Sequence, residues 1–466
     1  MGLGGKVESV TPAALSTGRL RVAERSAARS PAAVFAAIVE GGREAALLLS
    51  GEGFGEAGAF SFIGLDPAGR FRFGPDDPGD PFALLRDALD RTRWTGDGPP
   101  PVPFFGGWIG FLSYDLLHHL EEVPRTAVRD HGFPLMDLRF YPRVLAYDHA
   151  RQVWTACVLE GEGEGGAAEA LLDWVDAPPA PRAPGPALAG DLVSNFTRRA
   201  YEAAVARVLD YIAAGDVYQV NLSQRFAGRL RVPALEVGRR LFDASPAPFG
   251  AFIRHGDQAI VSSSPERFLR VRGDAVETWP IKGTRPRGRT PGEDAHLRAE
   301  LLDSAKDAAE LTMITDLLRN DLGRVCRYGS VRVPEERVLE SFEQVHHTRS
   351  TVVGRLRAGL DRVDLLRATM PGGSVTGAPK IRATEIIDEL EPTARGPYCG
   401  AVGWLGVDGS MDLNIPIRTV LVEGDRLSFQ VGGGVVADSR PDLEYEETLH
   451  KARGILQALG VAPATA

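Results

Sequence analysis

Gly432-Gly433-Gly434-Val435-Val436-Ala437-Asp438-Ser439, followed shortly by Glu444-Tyr445-Glu446-Glu447-Thr448, is the most informative stretch of the chain. The apolar run Leu427 to Val431 before it reads as a strand, and a helix is predicted from about Leu443 to Leu459. Between them, three glycines let backbone N–H groups approach an anion. The pattern fits neither GxGxxG nor GxxxxGK[ST], so nucleotide binding is not supported. On the helix, Glu444 and Glu447 are three apart and share a face, and Lys451 follows Glu447 by four. By spacing alone, either all three form a solvated ion-pair face or the two carboxylates are oxygen ligands for a hard cation.

Outward from that point, strands and helices mix without regular βαβ alternation, which predicts an α+β fold. Residues 1–30 read as a loosely ordered start. Ala45 to Pro67 reads as short strands and turns, Asp80 to Arg91 as an amphipathic helix, and Phe104 to Tyr114 as a buried strand. Leu138 to Asp148 and Gln152 to Glu160 read as a β-hairpin pair. Five prolines between Pro178 and Pro186 stop any helix or central strand, marking a linker over 178–190 between an amino-terminal region, 1–177, and a second region, 191–466. Beyond it, Thr197 to Ala214 is predicted helical with its stop at Gly215. Tyr218 to Arg225 and Gly250 to Ser263 read as strands, Gly292 to Leu322 as one long helix, and Lys380 to Leu390 as another. Val402 to Val407 and Asn414 to Val422 read as sheet. Both regions are expected to contribute strands to one intertwined unit of two packed antiparallel sheets with helices outside.

The 466 residues are 44% apolar and 25% charged, with a formal charge of -9. That composition is ordinary for a water-soluble globular chain and offers no basic surface for nucleic acid. Three cysteines, none in a CxxC pair, suit a reducing cytoplasm. Met1 to Gly18 lacks the basic-then-apolar layout of a secretory signal, and no apolar run approaches the roughly 18 residues of a membrane helix.

Further motifs carry candidate chemistry. Glu310 lies in the otherwise apolar Ala308-Ala309-Glu310-Leu311-Thr312-Met313-Ile314, where a carboxylate is costly unless it is paired or binds a metal. Pro280-Ile281-Lys282-Gly283-Thr284-Arg285-Pro286-Arg287 combines turn residues with cations; read alone, it is also a solvated basic loop. Gly372-Gly373-Ser374-Val375-Thr376-Gly377 is a second glycine-rich turn before a helix. Ser263-Ser264-Pro265-Glu266-Arg267-Phe268, Pro280-Ile281-Lys282-Gly283-Thr284, Arg319-Asn320-Asp321-Leu322, Gly377-Ala378-Pro379-Lys380 and the glycine stretch, completed by Glu444-Tyr445-Glu446-Glu447-Thr448, resemble in order and spacing the motif series of the chorismate-utilising enzymes. The resemblance is dense over about residues 195–456 and weaker before, where the chain looks like the amino-terminal part of the anthranilate synthase component I fold.

Two positions divide that family. Its water-adding members carry a lysine base where this chain has Gln219, and a glutamine amide cannot activate water. That implies ammonia as the nucleophile. Anthranilate-forming members resemble Pro-Ile-Ala-Gly-Thr where this chain reads Pro280-Ile281-Lys282-Gly283-Thr284, and the lysine form marks the aminodeoxychorismate branch, which serves folate and 4-aminobenzoate formation. The resemblance implies Lys282 as nucleophile towards C2 of chorismate and Glu266 as the acid for the departing C4 hydroxyl. It implies Glu310, Glu444 and Glu447 as Mg2+ ligands. Arg418 and Tyr398, with the backbone of Gly433 and Gly434, would hold the enolpyruvyl carboxylate. Gly283, Thr284, His347, Thr376 and Lys451 would line the pocket, with a structural role the lesser alternative for His347. Arg319, Asn320 and Asp321 read as structural.

Leu48-Leu49-Ser50 with Pro248, Phe249 and Gly250 resembles the family's tryptophan pocket, but Leu49 stands where an acidic residue is usual, and a plain core role is equally open. The sequence shows no amidotransferase segment, so the resemblance implies a separate glutamine amidotransferase subunit as the ammonia source. A non-catalytic chorismate-binding homologue is the reading from another functional class, and the retained acid, lysine and carboxylates speak against it.

Overall fold

Apolar runs such as Ala45–Leu49 and Phe60–Leu65 do not alternate with polar residues, because both faces of their sheet are covered. The computed structural model describes residues 19–461 except 52, 95, 97, 161–166, 343 and 344. Along these strands, Ala46, Phe62, Val144 and Ala146 point into the core between two sheets, while their neighbours Leu47, Ile63 and Leu145 point outward under helices. Phe62 meets Phe104 and Trp404 edge-on across the inter-sheet core. Full burial of each such side chain contributes roughly 1.5–3 kcal/mol.

Both sheets are antiparallel and draw strands from both sides of the Pro-rich stretch. The first has twelve strands among the described residues. Its order runs Arg19–Ser26, Val153–Glu160, Arg143–Asp148, Phe60–Leu65, Ala45–Leu49, Phe249–His255, Gln258–Ser264, Thr419–Glu423, Arg426–Val435, Gln219–Arg229 and Gly377–Ala378, with Val193–Ser194 beside Gln219–Arg229. The second has ten, with Ile281–Pro286 and Val345–Arg355 at one edge and Gly69–Phe73 at the other. Helices Pro31–Glu40, Ala234–Ala244 and Pro441–Leu459 cover the outer face of the first sheet. Helices Arg198–Ala214 and Lys380–Leu390 close over its Val220, Leu222 and Val435 end. The Pro-rich stretch is strapped to helix Ala234–Ala244: Arg240 donates to the Ala183 and Gly185 carbonyls and Arg239 to that of Pro181. None of the described helices is long and apolar enough to cross a membrane.

Three expectations need correction. Residues 1–18 lie outside the described residues, but Arg19–Ser26 is a strand in register with Val153–Glu160, and a helix capped by Ser30 follows. Leu138 to Asp148 is not one strand. It breaks at Pro142, so Met136–Tyr141 joins the second sheet and Arg143–Asp148 the first. Gly292 to Leu322 is not one helix. Ser304, with extended backbone, ends Pro291–Asp303 and caps Ala305–Gly323 by accepting from the Asp307 amide at 3.2 Å. A single continuous helix would carry Glu310 in a fixed phase with the first segment; the break lets the second segment turn its own face to the sheets.

Two of the motifs meet in the core. Lys380, at the start of its helix, donates to the Asp321 carboxylate and, at 2.9 Å, to the Thr369 carbonyl; Asp321 is only 2% exposed. Burial pushes the Lys380 amine down from its ordinary value, while Asp321 pulls it back up. Asp321→Ala would leave that ammonium buried without its counter-charge, so a loss of roughly 3–5 kcal/mol is expected in urea unfolding. The paired replacement Asp321→Leu with Lys380→Met should recover most of it.

Candidate active site

The glycine stretch ends the Arg426–Val435 strand, where Gly433 pairs with Leu222 and Gly434 with Asn221. A side-chain carbon at Gly434 would stand 2.0 Å from Nε2 of Gln219, and one at Gly433 would stand 3.1 Å from Glu444 Oε2 and 3.3 Å from Glu447 Oε1. Bare backbone is therefore what lets the strand lie against Gln219 on one side and the carboxylates on the other. Gln219 is 1% exposed, and its Oε1 has no hydrogen-bond partner.

Glu266 follows the Gln258–Ser264 strand, and its amide donates to Ser264 Oγ at 3.2 Å. Its side chain is buried, with Oε1 unpartnered. Burial pushes this carboxyl up to about 7, with Ser374, Lys282 and the Ile281 amide pulling it back. Lys282 sits in the Ile281–Pro286 strand opposite Thr348, and its Nζ donates to the Ser374 carbonyl at 3.3 Å. Burial lowers the Lys282 amine; Glu310 and Glu266 oppose that, and Lys451 adds to it. The strand pairing slips a residue at Gly283, whose φ of 75° is left-handed, and resumes with Thr284 opposite His347. The bulge turns Lys282 towards Ser374 while keeping the edge strand in place.

Glu310 lies on helix Ala305–Gly323, and Glu444 and Glu447 on helix Pro441–Leu459. Ser439 Oγ donates to Glu444 Oε1 at 2.6 Å, and Glu444 Oε2 is buried without a partner. Burial raises the Glu444 carboxyl and the neighbouring Glu447 raises it further; burial likewise raises Glu310. Glu447 is lowered instead, by Lys451, whose Nζ stands 2.7 Å from Glu447 Oε1 and donates to the Gly432 carbonyl at 2.9 Å. Among the described residues no three carboxylates, imidazoles or thiols already stand at metal-holding spacing. The nearest cation to the free carboxylates is Lys306, 3.9 Å from Glu310 Oε1 and 3.7 Å from Glu444 Oε1. Oxygen ligands, one orphaned and buried, converging from two helices suit a hard divalent cation.

Arg418 has a left-handed φ of 50°, and its carbonyl accepts from the Ser263 amide. Burial alone lowers its guanidinium, and among the described residues no carboxylate pairs with it. An unpaired guanidinium of this kind suits an anionic ligand. Tyr398 is buried beside Arg395. Two other lining candidates are committed elsewhere: the Thr376 hydroxyl donates to the Gly372 carbonyl at 3.1 Å, and His347 Nε2 stands 2.9 Å from Glu340 Oε2. The basic loop is not free either, since Arg285 pairs with Glu300 and Arg287 with Asp294.

Ser50, Pro248, Phe249 and Gly250 come together around a separate cavity of about 350 Å³ between the sheets, lined also by Arg267 and Asn414. Ser50 Oγ donates to the Ala57 carbonyl there. Sequence reasoning missed Lys306 and Ser374. Lys306 precedes Glu310 by four on the same helix, a spacing that could have revealed it, whereas Ser374 lay inside a quoted motif with nothing to single it out.

Residues 44–457 match the family model described as chorismate binding enzyme. The chain is 43% identical over 380 residues to aminodeoxychorismate synthase component 1 of Klebsiella aerogenes, covering 82% of this chain and 83% of that one. It is also 43% identical over 373 residues to anthranilate synthase component 1 of Thermus thermophilus, covering 78% and 80%. The crystal structure of anthranilate synthase component I from Streptococcus pneumoniae superposes with a TM-score of 0.75 at 33% identity, over 85% of this chain and 92% of that one. With the fold, the motif series and a match over most of its length in agreement, this chain belongs to the chorismate binding enzyme family.

Proposed function

We propose that this chain is component I of an aminodeoxychorismate synthase, converting chorismate and ammonia to 4-amino-4-deoxychorismate. The observation that carries the reading is the Lys282 amine. It is half-buried next to Glu266 in a chain that aligns over four-fifths of its length with aminodeoxychorismate synthase components. Desolvation lowers the amine and raises the acid, the directions that a nucleophile and a proton donor need near neutral pH.

In this reading the Lys282 nitrogen attacks C2 of chorismate, and the C4–O bond breaks with Glu266 giving its proton to the departing hydroxyl, which leaves as water. Ammonia then forms the C4–N bond as the C2–N bond to Lys282 breaks, and the new C4 ammonium group returns a proton to the Glu266 carboxylate. Gln219 offers an amide oxygen rather than a base, so no water is activated beside the ring. Arg418 binds the enolpyruvyl carboxylate, with the Gly433–Gly434 backbone alongside. Glu310, Glu444 and Glu447 would hold Mg2+. When bound, the ion would neutralise and orient the ring carboxylate.

A component I works with a second component; in our reading that partner is a glutamine amidotransferase that releases ammonia in the cytoplasm. A second reading, anthranilate synthase component I, is favoured by the equally identical Thermus relative and disfavoured by Lys282. The inter-sheet cavity around Ser50 is proposed as a tryptophan-sized pocket; Leu49 stands where the family's acidic residue is usual, and the acids that do line the cavity, Glu56 and Asp412, are paired with Arg270 and Arg267.

Purified protein given chorismate, Mg2+ and an ammonium salt should yield an aminated chorismate that keeps its pyruvyl group, read by mass spectrometry, and Lys282→Ala should lose or divert it. Release of pyruvate and anthranilate by the parent would move the chain to the second reading. Glu266→Gln should lower turnover by at least about 10²-fold. It also tests the burial of the acid. A carboxyl raised from 4.5 to about 7 in the folded state stabilises the fold below pH 4.5, and that contribution is lost as pH rises through 7. Urea midpoints should therefore show the parent losing up to about 3 kcal/mol across that window while Glu266→Gln does not.

A further inference from the structure

Lys306 belongs to no quoted motif, and the reaction as drawn has no use for it. It stands in the first turn of helix Ala305–Gly323, one turn before Glu310. Its Nζ lies 3.9 Å from Glu310 Oε1 and 3.7 Å from Glu444 Oε1, carboxylates carried by two different helices. Both distances exceed hydrogen-bond range, so the ammonium sits in the electrostatic gap between the two carboxylates without being locked to either.

The other two amines of the cluster are committed. Lys282 donates to the Ser374 carbonyl, and Lys451 to Glu447 and the Gly432 carbonyl. Lys306 makes no hydrogen bond among the described residues, and its side chain remains 45% exposed. Its four-carbon stem can therefore swing to water without breaking a bond. Glu444, by contrast, is 3% exposed, with Oε2 unpartnered and facing the bare strand at Gly433.

We propose that Lys306 is a displaceable counter-cation: its ammonium holds Glu310 and Glu444 together in the ion-free protein and is expelled to solvent when a divalent cation enters between the same carboxylates. The inference rests on the reading of these carboxylates as cation ligands. An octahedral ion needs their oxygens at about 2.1 Å, closer than an ammonium draws them, and tolerates no second cation in the gap. The consequence is competition. Ion affinity in the absence of substrate is held down by Lys306, and an anionic substrate that adds its own oxygen and negative charge tips the balance to the ion.

The test uses Mn2+ alone as a paramagnetic probe, titrated into the full chain without chorismate and followed by loss of the free-ion resonance. Lys306→Met should bind Mn2+ about tenfold or more tightly than the parent, Lys306→Gln should agree with it, and Lys306→Arg should stay near the parent. Without ion the melting temperatures of the two neutral variants should fall below the parent's, and saturating Mn2+ should close that difference. Equal or weaker Mn2+ binding by both neutral variants overturns the proposal and leaves the carboxylates as ion ligands. Absence of Mn2+ binding in parent and variants alike overturns both. Glu444→Gln, which removes the buried carboxylate, should abolish the tighter binding in the Lys306→Met background.

Discussion

A guanidinium that cannot reach water holds the floor of the site. Arg395 is 2% exposed and lies between the rings of Tyr114 and Tyr398. It donates to both oxygens of Glu391, to the Val375 carbonyl at 2.8 Å and to the Asn221 carbonyl at 2.6 Å. Glu391 in turn accepts from the amide and the hydroxyl of Ser223. A buried ion pair is tolerable only when such hydrogen bonds satisfy its remaining atoms. Here they bind the end of helix Lys380–Leu390, the strand Gln219–Arg229 and the turn that carries Ser374 and Thr376 into one piece. Gln219, the glycine strand and the Lys282 hydrogen-bond acceptor are thereby fixed relative to one another.

On that floor, one residue type does different work according to its surroundings. Glu266, Glu310, Glu444 and Glu447 are the same acid. Burial without a committed partner keeps Glu266 protonatable near neutrality, whereas Lys451 against Glu447 keeps that carboxyl ionised. Separation of carboxyl groups by environment is how one pocket can hold a proton donor beside cation ligands. The lysines divide in the same way. Lys451 is a fixed partner, Lys282 is desolvated, and Lys306 reaches in from the solvent edge.

The errors of sequence reading have local causes. Pro142 and Ser304 interrupt runs whose hydrophobic patterns continue on both sides, so periodicity carried Leu138 to Asp148 and Gly292 to Leu322 through breaks that the backbone makes. Arg19–Ser26 alternates weakly and is exposed on much of its length; only its pairing with Val153–Glu160 makes it a strand. The Pro-rich stretch shows the converse. Its composition reads as a spacer, yet arginines of helix Ala234–Ala244 hold its carbonyls against the body of the protein.

By itself the sequence determined the fold class, two packed antiparallel sheets with helices outside, and the membership in a chorismate-binding family. The α+β class follows from strand and helix periods; the packed sheets and the family follow from a resemblance carried by local motifs: a lysine in a turn, glycines after a strand, two glutamates on one helical face. Gln219, a matter of residue identity, carried the expectation that no water is activated, by way of the resemblance. Only the tertiary structure decided what lies in the gap between Glu310 and Glu444, which carboxylate keeps an orphaned oxygen, and that His347 and the Thr376 hydroxyl are already bonded. Charge, burial and hydrogen-bond commitment depend on neighbours far apart along the chain. The spacing of residues within a motif says nothing of the partners that other helices bring to it.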